Sequence, residues 1–397
     1  MMRFPEVRAA RAMPAAAVLL CPLAANAYAA ATSAAAAVHP QPRPAAAAAA
    51  GDVTLSGVSC PDAAHCLAVG QVVTTSNPGR DYAQAWNGRA WRVVTPPSPG
   101  ASPAALNAVA CTGPASCVAV GSYATVAGPA HTLALFWNGS SWRVLSTPSP
   151  ASSELRAIAC GRAGHCVAVG DTLQAGAIGT LAETWDGTRW RVLPAAATGS
   201  GDSVLRAVSC ARADRCMAAG TSFNSGVPGG RTVTLTESWN GTAWHMLPAP
   251  SPGTRLSDLE AVSCTTPVNC VATGFYLNIG QPYGTALAET WNGTAWHRVL
   301  PKTPGKISSL LAISCPRTGH CMAVGGGGSV PLAEALTMTR WRTVPTASLG
   351  KDTGNLLSIS CPAINRCVAA GDHFRGNGHT RPLTEQWNGT RWQITSW

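Results

Sequence analysis

The sequence predicts an all-β protein, a seven-bladed β-propeller with four antiparallel strands per blade and one C-x5-C hairpin disulfide in each blade. Three observations lead there. Apart from Cys21, the cysteines form seven pairs of identical spacing: Cys60/Cys66, Cys111/Cys117, Cys160/Cys166, Cys210/Cys216, Cys264/Cys270, Cys315/Cys321 and Cys361/Cys367. Successive first cysteines lie 46 to 54 residues apart, the period of propeller blades. Each unit contains four short apolar segments divided by turn chemistry, with no segment of helical length or sustained 3.6-residue period. A β-solenoid is the rival, but its coils are shorter and do not call for seven hairpin staples.

In chain order, Arg3, Arg8 and Arg11 precede an apolar stretch ending at Ala25-Asn26-Ala27, the pattern of a secretory signal peptide over 1–27. Residues 28–51 are an Ala/Pro-rich flexible leader. The propeller is expected over 52–397, with blades at 52–97, 104–148, 153–195, 203–250, 257–301, 308–346 and 354–397. Unit three shows the pattern. Leu155 to Cys160 is the first segment, and Cys166 to Gly170 the second. The third ends at Trp185 before Asp186-Gly187, and the fourth runs from Trp190 to Pro194. Asn-Gly or Asp-Gly between apolar runs is the strongest short hairpin signal. A closing Pro cannot donate to a sheet ladder and stops the strand. Unit six has Leu336-Thr337-Met338 in place of Trp-Asn-Gly and so lacks that signal.

An even cysteine set behind a signal peptide reads as disulfides and an extracellular or envelope location. Strand a is expected to end at the first cysteine and strand b to begin at the second, so that the two face each other across a five-residue turn. His65, His165 and His320 precede the second cysteine in three units only, and C-x5-C is not zinc spacing. We expect no metal and no cofactor. Thirteen tryptophans occupy repeat positions beside the Asn-Gly turns, which suits packing better than a ligand platform. Asn138, Asn240, Asn292 and Asn388 begin Asn-Gly-Ser/Thr acceptor patterns that turn chemistry already explains.

The full chain carries a formal +10. From residue 51 onward there are 24 Lys or Arg and 17 Asp or Glu, a net +7 with no basic run. That argues against a nucleic-acid stripe and leaves at most a mild affinity for anionic envelope polymers. No later stretch could span a membrane, and a monomer is expected.

Thr184-Trp185-Asp186-Gly187-Thr188-Arg189-Trp190 resembles the Asp-box turn of sialidases and other secreted propellers, and Ser238 to Trp244 and Thr290 to Trp296 match it with Asn for Asp. The whole repeat is similar to secreted bacterial propeller proteins. The resemblance implies fold and export. The Asp-box is a structural turn, remote from catalysis.

With strands a to d running up and down, the cysteine and Asn-Gly turns share one face. The b–c loops and d–a connectors share the other, where sequence varies and a ligand would sit. The richest loops hold Tyr276, Asn278, Gln281 and Tyr283 in unit five, and Asp372, His373, Arg375 and His379 in unit seven. These are the candidate ligand-binding residues. Glu183, Glu237, Glu289, Glu334 and Glu385 recur two positions before the strand-c tryptophan or its equivalent, with Gln84 and Leu135 in units one and two. A catalytic carboxylate is placed once, so repetition argues for a structural role, accepting hydrogen bonds from a neighbouring blade.

No nucleophile, base or metal set stands out, so the reading leans away from an enzyme. It favours a secreted non-catalytic binding or scaffold protein for a protein or glycan ligand of the envelope or medium. A lectin that stacks sugars on exposed tryptophans is the first alternative. A sialidase-like glycoside hydrolase or lyase is the second, needing a Tyr from among Tyr82, Tyr123, Tyr276 and Tyr283.

Overall fold

A computed structural model describes residues 51–99, 103–125, 128–194, 196, 201–226, 230–302, 308–376 and 378–396. The expected signal peptide and nearly all of the leader lie outside them. Every described element is a β-strand, and each unit contributes four, a to d, joined in order by antiparallel pairing. In unit three these are Ser152–Arg162, His165–Gln174, Ala177–Trp185 and Trp190–Val192. No helix among the described residues is long and apolar enough to cross a membrane.

The fold is a β-propeller, but the expectation of seven separate blades is corrected. Only five units stand as discrete four-stranded blades, while units four and five merge into one eight-stranded sheet. The cause is local. Strand d pairs only with the end of strand c in unit four, at Thr236–Trp239, as it does in the other units, so Thr232 is open and the path of the connector decides. The connector returns there: Thr232 N–H donates to the Arg255 carbonyl at 3.3 Å, and Thr232 bridges Leu256 in parallel.

The a strands lie innermost. Each touches the a strands of its neighbours, and Asp52–Ser59 of unit one meets Thr353–Ala363 of unit seven, so the ring closes. Among the described residues, neither terminal sheet borrows a strand from the other end of the chain. One leucine of each a strand (Leu55, Leu106, Leu155, Leu205, Leu259, Leu310 and Leu356) is fully buried, contributing about 2 kcal/mol apiece. The apolar clusters span neighbours: Val118 and Val120 of unit two pack with Leu155, Ile158 and Trp185 of unit three.

A polar seam accompanies this packing. The serine before the first cysteine accepts the cysteine N–H of the next unit at 2.9–3.1 Å, pairing Ser59 with Cys111, Ser209 with Cys264, Ser263 with Cys315 and Ser314 with Cys361. Ser360 closes the ring on Cys60 at 3.0 Å. Units two and three have Ala110 and Ala159 at this position and cannot form the bond.

All seven cysteine pairs are disulfides: Cys60–Cys66, Cys111–Cys117, Cys160–Cys166, Cys210–Cys216, Cys264–Cys270, Cys315–Cys321 and Cys361–Cys367, with Cα atoms 4.0–4.1 Å apart. Their placement corrects the expected five-residue turn. Strand b begins at the second cysteine only in unit one, at Cys66. In the other units it begins one residue earlier, at Ser116 before Cys117, Arg215 before Cys216 and Asn269 before Cys270, for example. Strand a likewise runs past its cysteine in these units, and the pairs Gly113–Ser116, Arg162–His165, Arg212–Arg215 and Thr266–Asn269 close a two-residue turn. Backbone pairing beyond the bridge satisfies N–H and C=O groups that a longer loop would leave to water.

The bridges are also not peripheral staples. The second half-cystines Cys66, Cys117, Cys166, Cys216, Cys270, Cys321 and Cys367 are all buried, and each belongs to one of the apolar clusters. They sit in the core because strand b is covered on both sides by its neighbours, and a bridged cysteine packs there as a small apolar side chain.

At the other hairpin the Asn or Asp side chain does the turning. Asp186 Oδ1 accepts from Thr188 N–H and Arg189 N–H, both at 2.9 Å, and Asn292 does the same in unit five. Gly187 and Gly293 sit at φ 95° and 96°, where a Cβ is penalised. Unit six replaces this four-residue loop with a Thr337–Arg340 pair and a two-residue turn that holds Met338 at φ 57°.

Strand b does not end at its glycine: Gly170 lies inside His165–Gln174. Every a strand carries a β-bulge just after its buried leucine, as between Leu155 and Ala157. The bulge presses the carbonyl before the leucine onto the strand-b glycine: a Cβ on Gly170 would sit 1.9 Å from the Glu154 carbonyl. Only glycine fits there.

Candidate functional site

A bulge re-aims the residue it releases. The seven released side chains are Ser56, Asn107, Arg156, Arg206, Glu260, Leu311 and Leu357, all on the innermost strands. The repeat fixes the leucine beside them but not these positions. In units three to five they are ionisable and form a network. Asn107 Nδ2 donates to Glu154 Oε1 at 2.8 Å, and Arg156 reaches Glu154 at 3.0 Å and also pairs with Asp171. Arg206 crosses from unit four to unit five, 3.1 Å from Asp258 and 3.8 Å from Glu260.

Four carboxylates thus share two guanidiniums. Asp258 is buried, and the other five are partly exposed. Burial raises the Glu260 carboxyl, the like charge of Asp258 adds to the rise, and Arg206 and Arg156 oppose it. Burial also raises Asp258 against the pull of Arg206. The group lies in the first half of the a strands, and Glu154 faces Asp171 in register near the start of the b–c loop. It therefore sits toward the b–c and d–a end of the inner ring.

Sequence reasoning missed this network. The signal was present in Glu154-Leu-Arg156, Leu205-Arg206 and Asp258-Leu-Glu260, where other units have Ser309-Leu-Leu311 or Asn355-Leu-Leu357.

The sequence-predicted residues fall into separate local groups. In unit five, Asn278 Oδ1 accepts from Thr254 N–H at 3.0 Å, and its Nδ2 donates to Gln281 at 3.2 Å. Tyr276 packs against the core, with the Arg298 guanidinium 4.9 Å above its ring. Tyr283 is exposed. In unit seven, Asp372 lies 3.5 Å from the Thr54 hydroxyl of unit one, and burial raises its carboxyl. His373 is buried on the opposite side of the strand and accepts from Arg375 Nε at 3.3 Å. Burial, then Arg375, hold its imidazole below the usual range, while Asp352 opposes them. His379 is exposed and 3.2 Å from Asp52.

The recurring glutamates are all buried, and two accept from the preceding unit. Lys302 N–H donates to Glu334 at 2.9 Å and Ala347 N–H to Glu385 at 3.0 Å. Both donors stand six residues after the strand-d tryptophan. That position is Pro148 ahead of Glu183 and Pro250 ahead of Glu289. Proline has no N–H to give, so neither carboxylate receives that backbone hydrogen bond. Ahead of Leu135 it is Pro97. Burial raises Glu183, Glu237 and Glu385 to about 7 and Glu289 to about 8.

The tryptophans are packed. Ten of the thirteen repeat tryptophans are buried, and only Trp86, Trp142 and Trp291 are partly exposed. Hairpin pairs pack against each other at tilts of 40–50°, with centroids 5.1–5.8 Å apart, in every unit that has both rings. Three clefts of about 120, 220 and 250 Å³ open between consecutive units at the cysteine and Asn-Gly turns. The half-cystines Cys166, Cys216, Cys270, Cys321 and Cys367 contribute to their walls as bridged sulfurs without a thiol. Cys66 and Cys117 are bridged in the same way and sit in the core. Among the described residues, no group of three His, Cys, Asp or Glu is arranged to hold a metal ion.

No family model matches the chain, and no curated protein matches it. Solved structures do. An ulvan lyase from a new family of polysaccharide lyases, bound to -[GlcA(1-4)Rha3S]-, is 10% identical, with 87% of this chain and 96% of that one covered at a TM-score of 0.58. The β-propeller domain of the Trilobed protease from Pyrococcus furiosus, described as having an open velcro topology, is 9% identical, with 87% and 98% covered and a TM-score of 0.52. At these identities the likeness extends to the propeller fold. Seven disulfides place that fold in an oxidising, extracellular type of environment.

Proposed function

We propose that this chain is a secreted, non-catalytic binding or scaffold propeller whose ligand enters the inner ring from the b–c and d–a face. One observation carries the reading: the bulge residues Arg156, Arg206 and Glu260, which the repeat leaves free, are ionisable and form a network with Glu154, Asp171 and Asp258. Nothing in the folding pattern asks for charge at these positions, since units six and seven place Leu311 and Leu357 there. Two carboxylates in excess over guanidiniums favour a ligand that presents an amine or another cationic group. The Asp-box-like turns bear on stability at the far end of the sheets, as the resemblance implies.

The buried tryptophan pairs weigh against a lectin that stacks sugars on several equivalent indoles. The hydrolase or lyase alternative rests on fold likeness to an ulvan lyase and has no assembled catalytic set. A glycan and peptide array probed with the oxidised protein tests the proposal. Amine-bearing ligands should bind, and Glu260→Gln with Asp258→Asn should weaken them at least tenfold. Turnover of a polysaccharide by the purified protein, lost in the same variants, would sink the non-catalytic reading.

A further inference from the structure

Charge that is thinly spread along the chain is gathered by the fold. The Asn-Gly turns and their equivalent in unit six expose Arg89, Arg189, Arg340 and Arg391. The cysteine turns expose Arg162, Arg212, Arg215, Arg317 and Arg366. Just beyond the same hairpins, the residue after the strand-d tryptophan is an exposed arginine in four units: Arg92, Arg143, Arg191 and Arg342. Against these thirteen arginines the same end holds Asp62, Asp186 and Asp214, a formal net of +10. From residue 51 onward the rest of the chain has eleven cationic and fourteen acidic residues, a net of −3.

The three aspartates do not neutralise that end. Asp186 pairs with Arg189 and Arg191, Asp214 with Arg212 and Arg215, and Asp62 with His65. The other nine arginines form no ion pair among the described residues.

The three inter-unit clefts open on this same end. Each joins an arginine to a half-cystine wall and the strand-c tryptophan of the later unit: Arg143 with Trp185, Arg215 with Trp291, and Arg342 with Trp387. At about 120 to 250 Å³ they suit single residues of a chain rather than a whole drug-sized ligand. Shallow subsites repeated around one rim gain strength only from a polymer that engages several at once. Guanidinium forks match carboxylate and sulfate geometry, and the disulfides put the protein where extracellular glycans are the abundant polyanions.

We propose that the end bearing the cysteine and Asn-Gly turns is a binding face for an acidic polysaccharide, carboxylated or sulfated. This face is opposite the inner-ring network, and the proposal does not rest on that reading.

The test uses the oxidised protein on immobilised polygalacturonate, heparin and neutral dextran, with duplex DNA as competitor. Binding to polygalacturonate, heparin or both, reversed by salt, with none to dextran, is the expected result. The triple variant Arg340→Ser, Arg366→Ser, Arg391→Ser should weaken it at least tenfold. The triple Arg80→Ser, Arg255→Ser, Lys351→Ser removes equal charge from the other end and should change it less than twofold. Equal loss from both triples would overturn the proposal, because net charge alone would then explain binding. So would no binding to either acidic glycan, or DNA outcompeting both at matched salt.

Discussion

Glu237→Gln should stabilise the protein above neutral pH and leave it unchanged in acid. Glu237 is 1% exposed, and neither carboxylate oxygen has a hydrogen-bond partner among the described residues. Burial alone raises it from 4.5 to about 7. The unfolded chain releases this proton near 4.5, so between 4.5 and about 7 the native state binds more protons than the unfolded state. The stability contributed by the protonated carboxyl is therefore fully present below the lower value and is lost as pH rises through the upper one. A shift of that size corresponds to about 3.4 kcal/mol. With an unfolding entropy of about 2.1 cal/mol/K per residue over about 345 residues, the gain at alkaline pH is about 5 °C in Tm. Thermal unfolding followed by circular dichroism at about pH 4 and about pH 8.5 measures it, since Gln imitates the neutral acid at every pH. A gain of equal size at both pH values, or a loss at the higher one, would refute the reasoning. Leu135, fully buried at the same position of unit two, already shows that the site needs no charge.

Three more outcomes follow from the seams and turns. Ala159→Ser should supply the missing acceptor for Cys210 N–H and add about 1 kcal/mol, while Ser360→Ala should cost about 1–2 kcal/mol at the ring closure; urea midpoints of the two variants must move in opposite directions. Gly170→Ala should cost more than about 3 kcal/mol or prevent folding, because its Cβ would overlap the Glu154 carbonyl; a wild-type urea midpoint would show that the bulge relaxes freely. Met338→Gly should stabilise by about 0.5–1 kcal/mol by relieving a left-handed backbone, visible as a raised Tm; an unchanged or lowered Tm would mean that Met338 contacts outweigh the strain.

Local chemistry was legible where it repeats. Seven C-x5-C pairs, the Asn-Gly loops and the closing prolines encode strands and hairpins directly, because each acts within a few residues of itself. The length of the cysteine turn was not legible, since pairing past Cys117, Cys216 or Cys270 depends on backbone register and leaves no mark in the spacing. Gly170 misled because its reason is not local. The sequence showed an apolar run ending at glycine, but the constraint is a carbonyl delivered by a bulge in another strand. The merger of units four and five was illegible for the same reason. It depends on where Arg255 and Leu256 land beside Thr232, and that is set by the path of a Pro-rich connector. The serine seam was written in the sequence as Ser before Cys in five units. Reading it needed the offset between neighbouring sheets, which no single repeat contains.

The same argument locates function. A repeat protein can vary side chains only where folding does not use them, and this fold uses nearly every apolar and turn position in each unit. Two sets escape. The bulge residues lie on the inner strands, where Asn107, Arg156, Arg206 and Glu260 differ from Leu311 and Leu357 without altering the buried leucine beside them. The turn-tip residues, such as Arg89, Ser140, Arg189 and Ala243, vary in side chain because the Asn or Asp side-chain oxygen bonds their backbone N–H groups. Variation at those positions, in the cysteine turns and after the strand-d tryptophan gathers arginines at one end of the ring, while the inner-ring network toward the other end holds carboxylates in excess. An arginine-rich end that holds an extended polyanion would leave the acidic mouth facing away from it, so the two sites can be occupied together without competing for space.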